Sequence, residues 1–198
     1  MKRTLLAAIA FMLASATFAA NEGIYLMAEA LDGEAVRQEL AAAPRLAAMW
    51  NAHAMGAASV SNVAAQTYTG SAITPTPAVK LNGTTLTAGT DFTFSYSSNT
   101  NAGFATIYMT AAKAGLFGVA KRRFEIVPAD ISAAVFGSIS ASTNATPTPT
   151  VTLGGTTLMN DRDFKFAYVY SGVTNVFAVG IGNYTGSAYT NFVITAGQ

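Results

Sequence analysis

Cysteine is absent, histidine and tryptophan occur once each, at His53 and Trp50, and charged residues make up only 11% of the 198-residue chain. Without cysteine there is no disulfide, no thiol nucleophile and no thiolate metal site. A single imidazole rules out a histidine-rich zinc cluster. The charged fraction is far below the usual quarter, and the net charge of +1 becomes −1, nine basic residues against ten acidic, once Lys2 and Arg3 are set aside. Neither nucleic acid nor an acidic membrane surface finds the basic footprint it needs. No segment runs to 18 uninterrupted apolar residues, so no permanent membrane helix is expected.

What the chain does hold is Thr, Ala, Ser and Gly in abundance, with 12 Phe and 8 Tyr. That composition favours β-structure. One phrase is also written twice: TPTPAVKLNGTTLTAGTDFTFSY over residues 74–96 returns as TPTPTVTLGGTTLMNDRDFKFAY over residues 146–168. At a constant offset the match includes Pro75, Pro77, Val79, Leu81, Gly83, Leu86, Asp91, Phe92, Phe94 and Tyr96. A duplicated phrase of this kind implies a duplicated fold, and two copies of about 70 residues each are near the lower size limit for a stable core.

Residues 1–20, MKRTLLAAIAFMLASATFAA, pair a basic start with a short apolar run and small residues at the end. This is the pattern of a signal peptide, with cleavage expected after Ala19 or Ala20 and the Ala14-Ser15-Ala16 triplet as an earlier candidate. Residues 21–58 favour helix and carry Glu22, Glu29, Asp32, Glu34 and Glu39, half of the acids in the chain. Asp32 suits a helix cap, and Pro44 the first turn of a second helix ending before Gly56. On that second helix Leu46, Met49, Trp50 and His53 fall on one face.

From residue 59 the period changes to two. Phe92, Phe94 and Tyr96 alternate with Thr93 and Ser95, and Phe164, Phe166 and Tyr168 repeat the pattern, so each copy holds a half-buried strand. Asn82-Gly83 and Gly154-Gly155 mark tight hairpins. Ala105, Ile107 and Met109 give the next inward face of the first copy, and Phe177, Val179 and Ile181 that of the second. Each copy closes on a strand holding Phe124 and Ile126, or Phe192 and Ile194, with Pro128 at the joint. The expected fold is mainly β: two tandem antiparallel β-sandwiches, residues 59–128 and 129–198, behind the helical segment.

Tyr68-Thr69-Gly70, Pro75, Val79, Leu86, Gly89-Thr90-Asp91-Phe92, Ser95-Tyr96, Asn99, Asn101-Ala102-Gly103 and Phe124-Glu125-Ile126 together resemble the bacterial immunoglobulin-like repeats of cell-surface and secreted proteins. Gly182-Asn183-Tyr184-Thr185-Gly186 before Phe192-Val193-Ile194 is similar to the ending of such repeats. The second copy has Ser140-Ala141-Ser142 in place of Tyr68-Thr69-Gly70, and Ser171-Gly172-Val173-Thr174 near the place of the Asn-Ala-Gly turn. The resemblance implies immunoglobulin-like sandwiches, secreted or at the cell surface, working as a spacer or adhesion module with an unidentified protein or glycan partner. It implies no catalytic residues and no cofactor.

The residues themselves also point away from catalysis, since residues 59–198 offer one Glu, four Asp and no His. His53 is expected as a packing residue. Asp161-Arg162-Asp163 offers hard oxygen ligands for calcium, yet Asp163 aligns with Asp91, which has no acidic neighbour, so turn capping is the better reading. Lys121-Arg122-Arg123 reads as a guard against strand pairing at a sheet edge. Tyr170, Tyr184 and Tyr189 are the candidate ligand-binding residues: exposed, they would form a platform for stacking sugars, and buried they would be core or corner residues.

Overall fold

The computed structural model describes residue 48 and residues 51–139, 146–171 and 173–192. The expected signal peptide, Leu46, Met49 and Trp50, and Ile194 of the closing strand lie outside the described residues. Ala48 and Asn51, Ala52 and His53 are helical, in line with a helix that ends before Gly56.

The architecture is mainly β and fits the β-sandwich class. In chain order the first strands are β1 (Ser59–Val60), β2 (Gln66–Thr67), β3 (Val79–Leu81), β4 (Thr84–Thr85), β5 (Phe92–Ser97), β6 (Gly103–Ala111) and β7 (Val119–Val127). Then come β8 (Ala129–Asp130), β9 (Val135–Phe136), β10 (Val151–Leu153), β11 (Thr156–Leu158), β12 (Phe164–Ser171), β13 (Val173–Gly180), β14 (Tyr184–Thr185) and β15 (Ser187–Phe192). Among the described residues the sheet orders are β1-β3-β4, β2-β7-β6-β5, β9-β10-β11, β12-β13-β15 and β8-β14. Most pairings are antiparallel, as expected. Two short ones are parallel, β2 with β7 and β8 with β14, so the sheets are not purely antiparallel. No helix among the described residues is long and apolar enough to cross a membrane.

Contacts divide the chain into two compact units. One takes in the chain up to Val63, Thr74–Ser97 and Thr106–Phe124; the other takes in Ala64–Ile73, Ser98–Ala105 and the chain from Glu125. Pro128, the expected joint, lies within the second of these units.

In the first unit the hairpin β3-β4 turns at Asn82 and Gly83, both at positive φ (50° and 82°). Such a turn matches the twist of the strands it joins, which is why Asn-Gly sits there. β5 pairs with β6 so that Phe94 faces Met109 and Tyr96 faces Ile107. Val79, Phe92, Ile107, Met109, Phe117 and Phe124 are each buried, as is Met55, and each such side chain contributes about 1.5–3 kcal/mol of transfer free energy. Met55 belongs to this core because its N–H donates to the Phe117 carbonyl at 2.8 Å.

The second unit repeats these devices. Gly154 and Gly155 take the same positive φ (55° and 83°) between β10 and β11. The Ile131 N–H donates to the Thr185 carbonyl at 2.9 Å, as Met55 does to Phe117, and both side chains are fully buried. The duplication therefore reaches upstream to Ala54 and Met55, which the sequence reading assigns to the helical segment. Phe166 faces Ala178 and Tyr168 faces Val176, so Val176 and Ala178 point into the core. The expected inward face, Phe177, Val179 and Ile181, is corrected by one residue: Val179 is exposed and Phe177 lies half-buried on the outer side. The cause is the shorter link between β12 and β13, which breaks the constant offset and shifts the alternation, and a shift of one residue turns a strand over.

Candidate functional site

Tyr184 is brought to the core of the second unit by β14, where it packs with Phe166 against Ile131, Val151, Leu158, Phe164 and Ala178. Its ring meets that of Tyr68 edge to face, with centroids 5.3 Å apart. Burial raises the Tyr184 phenol above its ordinary value, and the Asp163 carboxylate adds to the shift. Tyr189 is placed differently. It lies on β15, 68% exposed, opposite Phe177 of β13 with ring centroids 5.5 Å apart. Phe177 precedes the inward Ala178, so this aromatic pair occupies the outer face of the sheet. Tyr184 and Tyr189 thus stand on opposite sides of β12-β13-β15 and form no common platform. Tyr170 pairs through its backbone with Thr174, and its side chain lies outside the described residues.

The paired aspartates cap turns. Asp91 Oδ2 accepts the Thr87 N–H at 2.8 Å, and Asp163 Oδ2 accepts the Met159 N–H at 2.9 Å. Each carboxylate then takes a cation from a different direction. Lys113 Nζ lies 3.0 Å from Asp91, whereas Arg162 grips Asp163 through Nε at 2.9 Å and a terminal nitrogen at 2.7 Å. The Thr87 N–H and then Lys113 hold Asp91 below the usual carboxylate range, and Arg162 first and the Met159 N–H next do so for Asp163. Asp161 occupies the position of Gly89, both at positive φ, and its Oδ2 accepts from Asn160 at 2.9 Å. The Asp161-Arg162-Asp163 carboxylates are therefore occupied as turn ligands.

The other candidates are also placed. Lys121 Nζ sits 5.5 Å from the centroid of the Tyr108 ring, and Arg122 donates to Asn62 at 2.8 Å. β2 covers only Ile126 and Val127 of β7, so the basic triplet flanks a largely uncovered edge among the described residues. His53 is half-buried, and its carbonyl accepts the Phe117 N–H at 3.1 Å.

One site escaped the sequence reading. Residues 98–102 loop out between β5 and β6, and Ser98, Asn99, Thr100, Asn101, Ala102 and Phe104 line an open cavity of about 320 Å³. The loop is held at both ends. Asn99 donates from its amide to the Ile73 carbonyl at 3.0 Å and accepts the Ile73 N–H on its own carbonyl at 2.8 Å. Asn183 accepts the Ala102 N–H at 2.8 Å and donates to the Asn101 amide oxygen at 3.1 Å. Phe104, at the start of β6, is 61% exposed. The signal that could have found it is the loss of this loop from the second copy, where β12 and β13 pair through to Ser171 and Val173.

No family model, no curated protein and no solved structure matches the chain.

Proposed function

We infer that the protein is an exported, non-catalytic structural or adhesion module made of two immunoglobulin-like repeats. What supports the reading is how the two copies use the residues they share. Tyr96 donates to the Pro75 carbonyl at 3.0 Å and Tyr168 to the Pro147 carbonyl at 2.7 Å. Asp91 and Asp163 cap the same turn, and Phe92 and Phe164 fill the same core position. The shared aspartates and tyrosines are engaged in folding, which supports reading the duplication as one of architecture. Catalysis requires titratable groups free to meet a substrate, and here the two buried carboxylates, Asp91 and Asp163, are each bound to a turn N–H and a cation. The resemblance to bacterial surface repeats and the signal pattern of residues 1–20 support a role outside the cell.

The test is the mature N-terminus, determined by mass spectrometry on envelope and culture-medium fractions of the producing cell. A chain starting at Asn21 or one residue earlier in those fractions supports the reading. An intact chain starting at Met1 and confined to the cytoplasm would contradict it.

The carbohydrate-binding alternative keeps one observation in its favour, the exposed Tyr189 beside Phe177. It loses Tyr184 as a partner on the same face.

A further inference from the structure

We propose that the cavity at residues 98–104 binds a neutral saccharide, with Phe104 as the stacking surface and the Ser/Asn/Thr loop as the hydroxyl-reading surface. The inference goes beyond the structural role above and does not depend on it, because the site would stand wherever the chain resides. Four observations carry it.

The loop is not needed to close its hairpin. In the second copy Val169 and Asn175, the counterparts of Ser97 and Thr106, enclose five residues where the first copy has eight, so three additional residues in the first copy serve something other than closing the hairpin. The loop is also pre-organised. Four hydrogen bonds, two to Ile73 and two to Asn183, fix its frame, and Ser98 and Gly103 hold positive φ values of 55° and 130°. A rigid loop loses little conformational entropy when a ligand arrives.

Its chemistry is selective. Those bonds use one side of each asparagine, the Asn99 amide nitrogen and the Asn101 amide oxygen. The Asn99 amide oxygen, the Asn101 amide nitrogen and the Ser98 and Thr100 hydroxyls then carry no hydrogen bond among the described residues. Ser98, Thr100 and Asn101 are exposed and Asn99 is half-buried, so this set of donors and acceptors is open to solvent, where it matches vicinal hydroxyls. The lining contains no ionisable side chain, so a phosphate or a carboxylate finds no counter-charge there. Finally, Phe104 supplies an exposed ring, and the apolar C–H face of a pyranose stacks on such a ring while its hydroxyls reach the amides. The volume of about 320 Å³ is at the small end of ligand sites, suited to a monosaccharide or a chain end.

The experiment is a nitrogen–proton NMR titration of the purified protein with maltose, cellobiose, mannobiose and the N-acetylglucosamine dimer at millimolar concentrations. At least one sugar is expected to shift the amide signals of residues 98–104 in a saturable way. Phe104→Ala should then weaken binding about tenfold, Thr100→Val should weaken it severalfold with the fold unchanged, and Tyr189→Ala should leave it as it was. Absence of a saturable shift with every sugar would overturn the proposal. So would shifts centred on Tyr189, or wild-type affinity in both loop variants.

Discussion

The carboxylates of Asp91 and Asp163 are held below their ordinary value near 4 by the turn N–H groups and by Lys113 or Arg162. A carboxyl group whose folded pKa lies below its unfolded one contributes stability that is fully present above the unfolded value and is lost as pH falls through the folded one. Stability against urea should therefore be flat from neutral pH to about 5 and fall below about 4. Asp91→Asn with Asp163→Asn should flatten that acid limb and lower the neutral-pH midpoint. An unchanged acid limb in the double variant would show that other groups control it. The two tyrosine anchors give a second test. Tyr96→Phe and Tyr168→Phe each remove one hydrogen bond to a proline carbonyl and should each cost about 1 kcal/mol, read as denaturation midpoints. Tyr184 gives a third, because its half-buried phenol should ionise above the ordinary value near 10 in a spectrophotometric titration, and a phenol ionising at or below that value would contradict its placement.

Among the elements, β13 and β14 approach each other most closely at a glycine. The Gly180 N–H donates to the Gly186 carbonyl at 2.9 Å, and a Cβ on Gly180 would lie 2.7 Å from the Thr185 backbone nitrogen. Backbone cannot yield as a flexible side chain would, so Gly180→Ala should destabilise by about 1–3 kcal/mol; a midpoint within error of wild type would show that β14 is free to move. This close approach was hidden in the sequence, because nothing local to Gly180 reports a segment arriving from residues 184–186. The hairpins were legible: Asn82-Gly83 and Gly154-Gly155 announce their turns through the backbone angles that only such residues adopt cheaply. So was the strand alternation of Phe92, Phe94 and Tyr96. The inward face of β13 was not, because its register is set by the length of the preceding link and not by its own pattern. For the candidate site, Tyr184 and Tyr189 could be named as aromatic residues, but the side of the sheet each takes depends on pairing with β13.

At the scale of the molecule, the copies divide into what they share and what they do not. The shared residues, Asp91 with Asp163, Tyr96 with Tyr168, Phe92 with Phe164, build the same strands and turns twice. The loop at residues 98–102 belongs to the first copy alone and carries a cavity with an exposed ring. The central claim is that the shared part supplies architecture and the unshared loop supplies recognition. The most direct test replaces residues 98–105 by residues 170–174 of the second copy, which keeps Ser97 opposite Thr106, and measures both the denaturation midpoint and saccharide binding on the same protein. The account predicts a cooperatively folded chain, less stable only by the hydrogen bonds to Ile73 and Asn183, that no longer binds. A variant that binds sugar as the wild type does, or one that fails to fold, would contradict it.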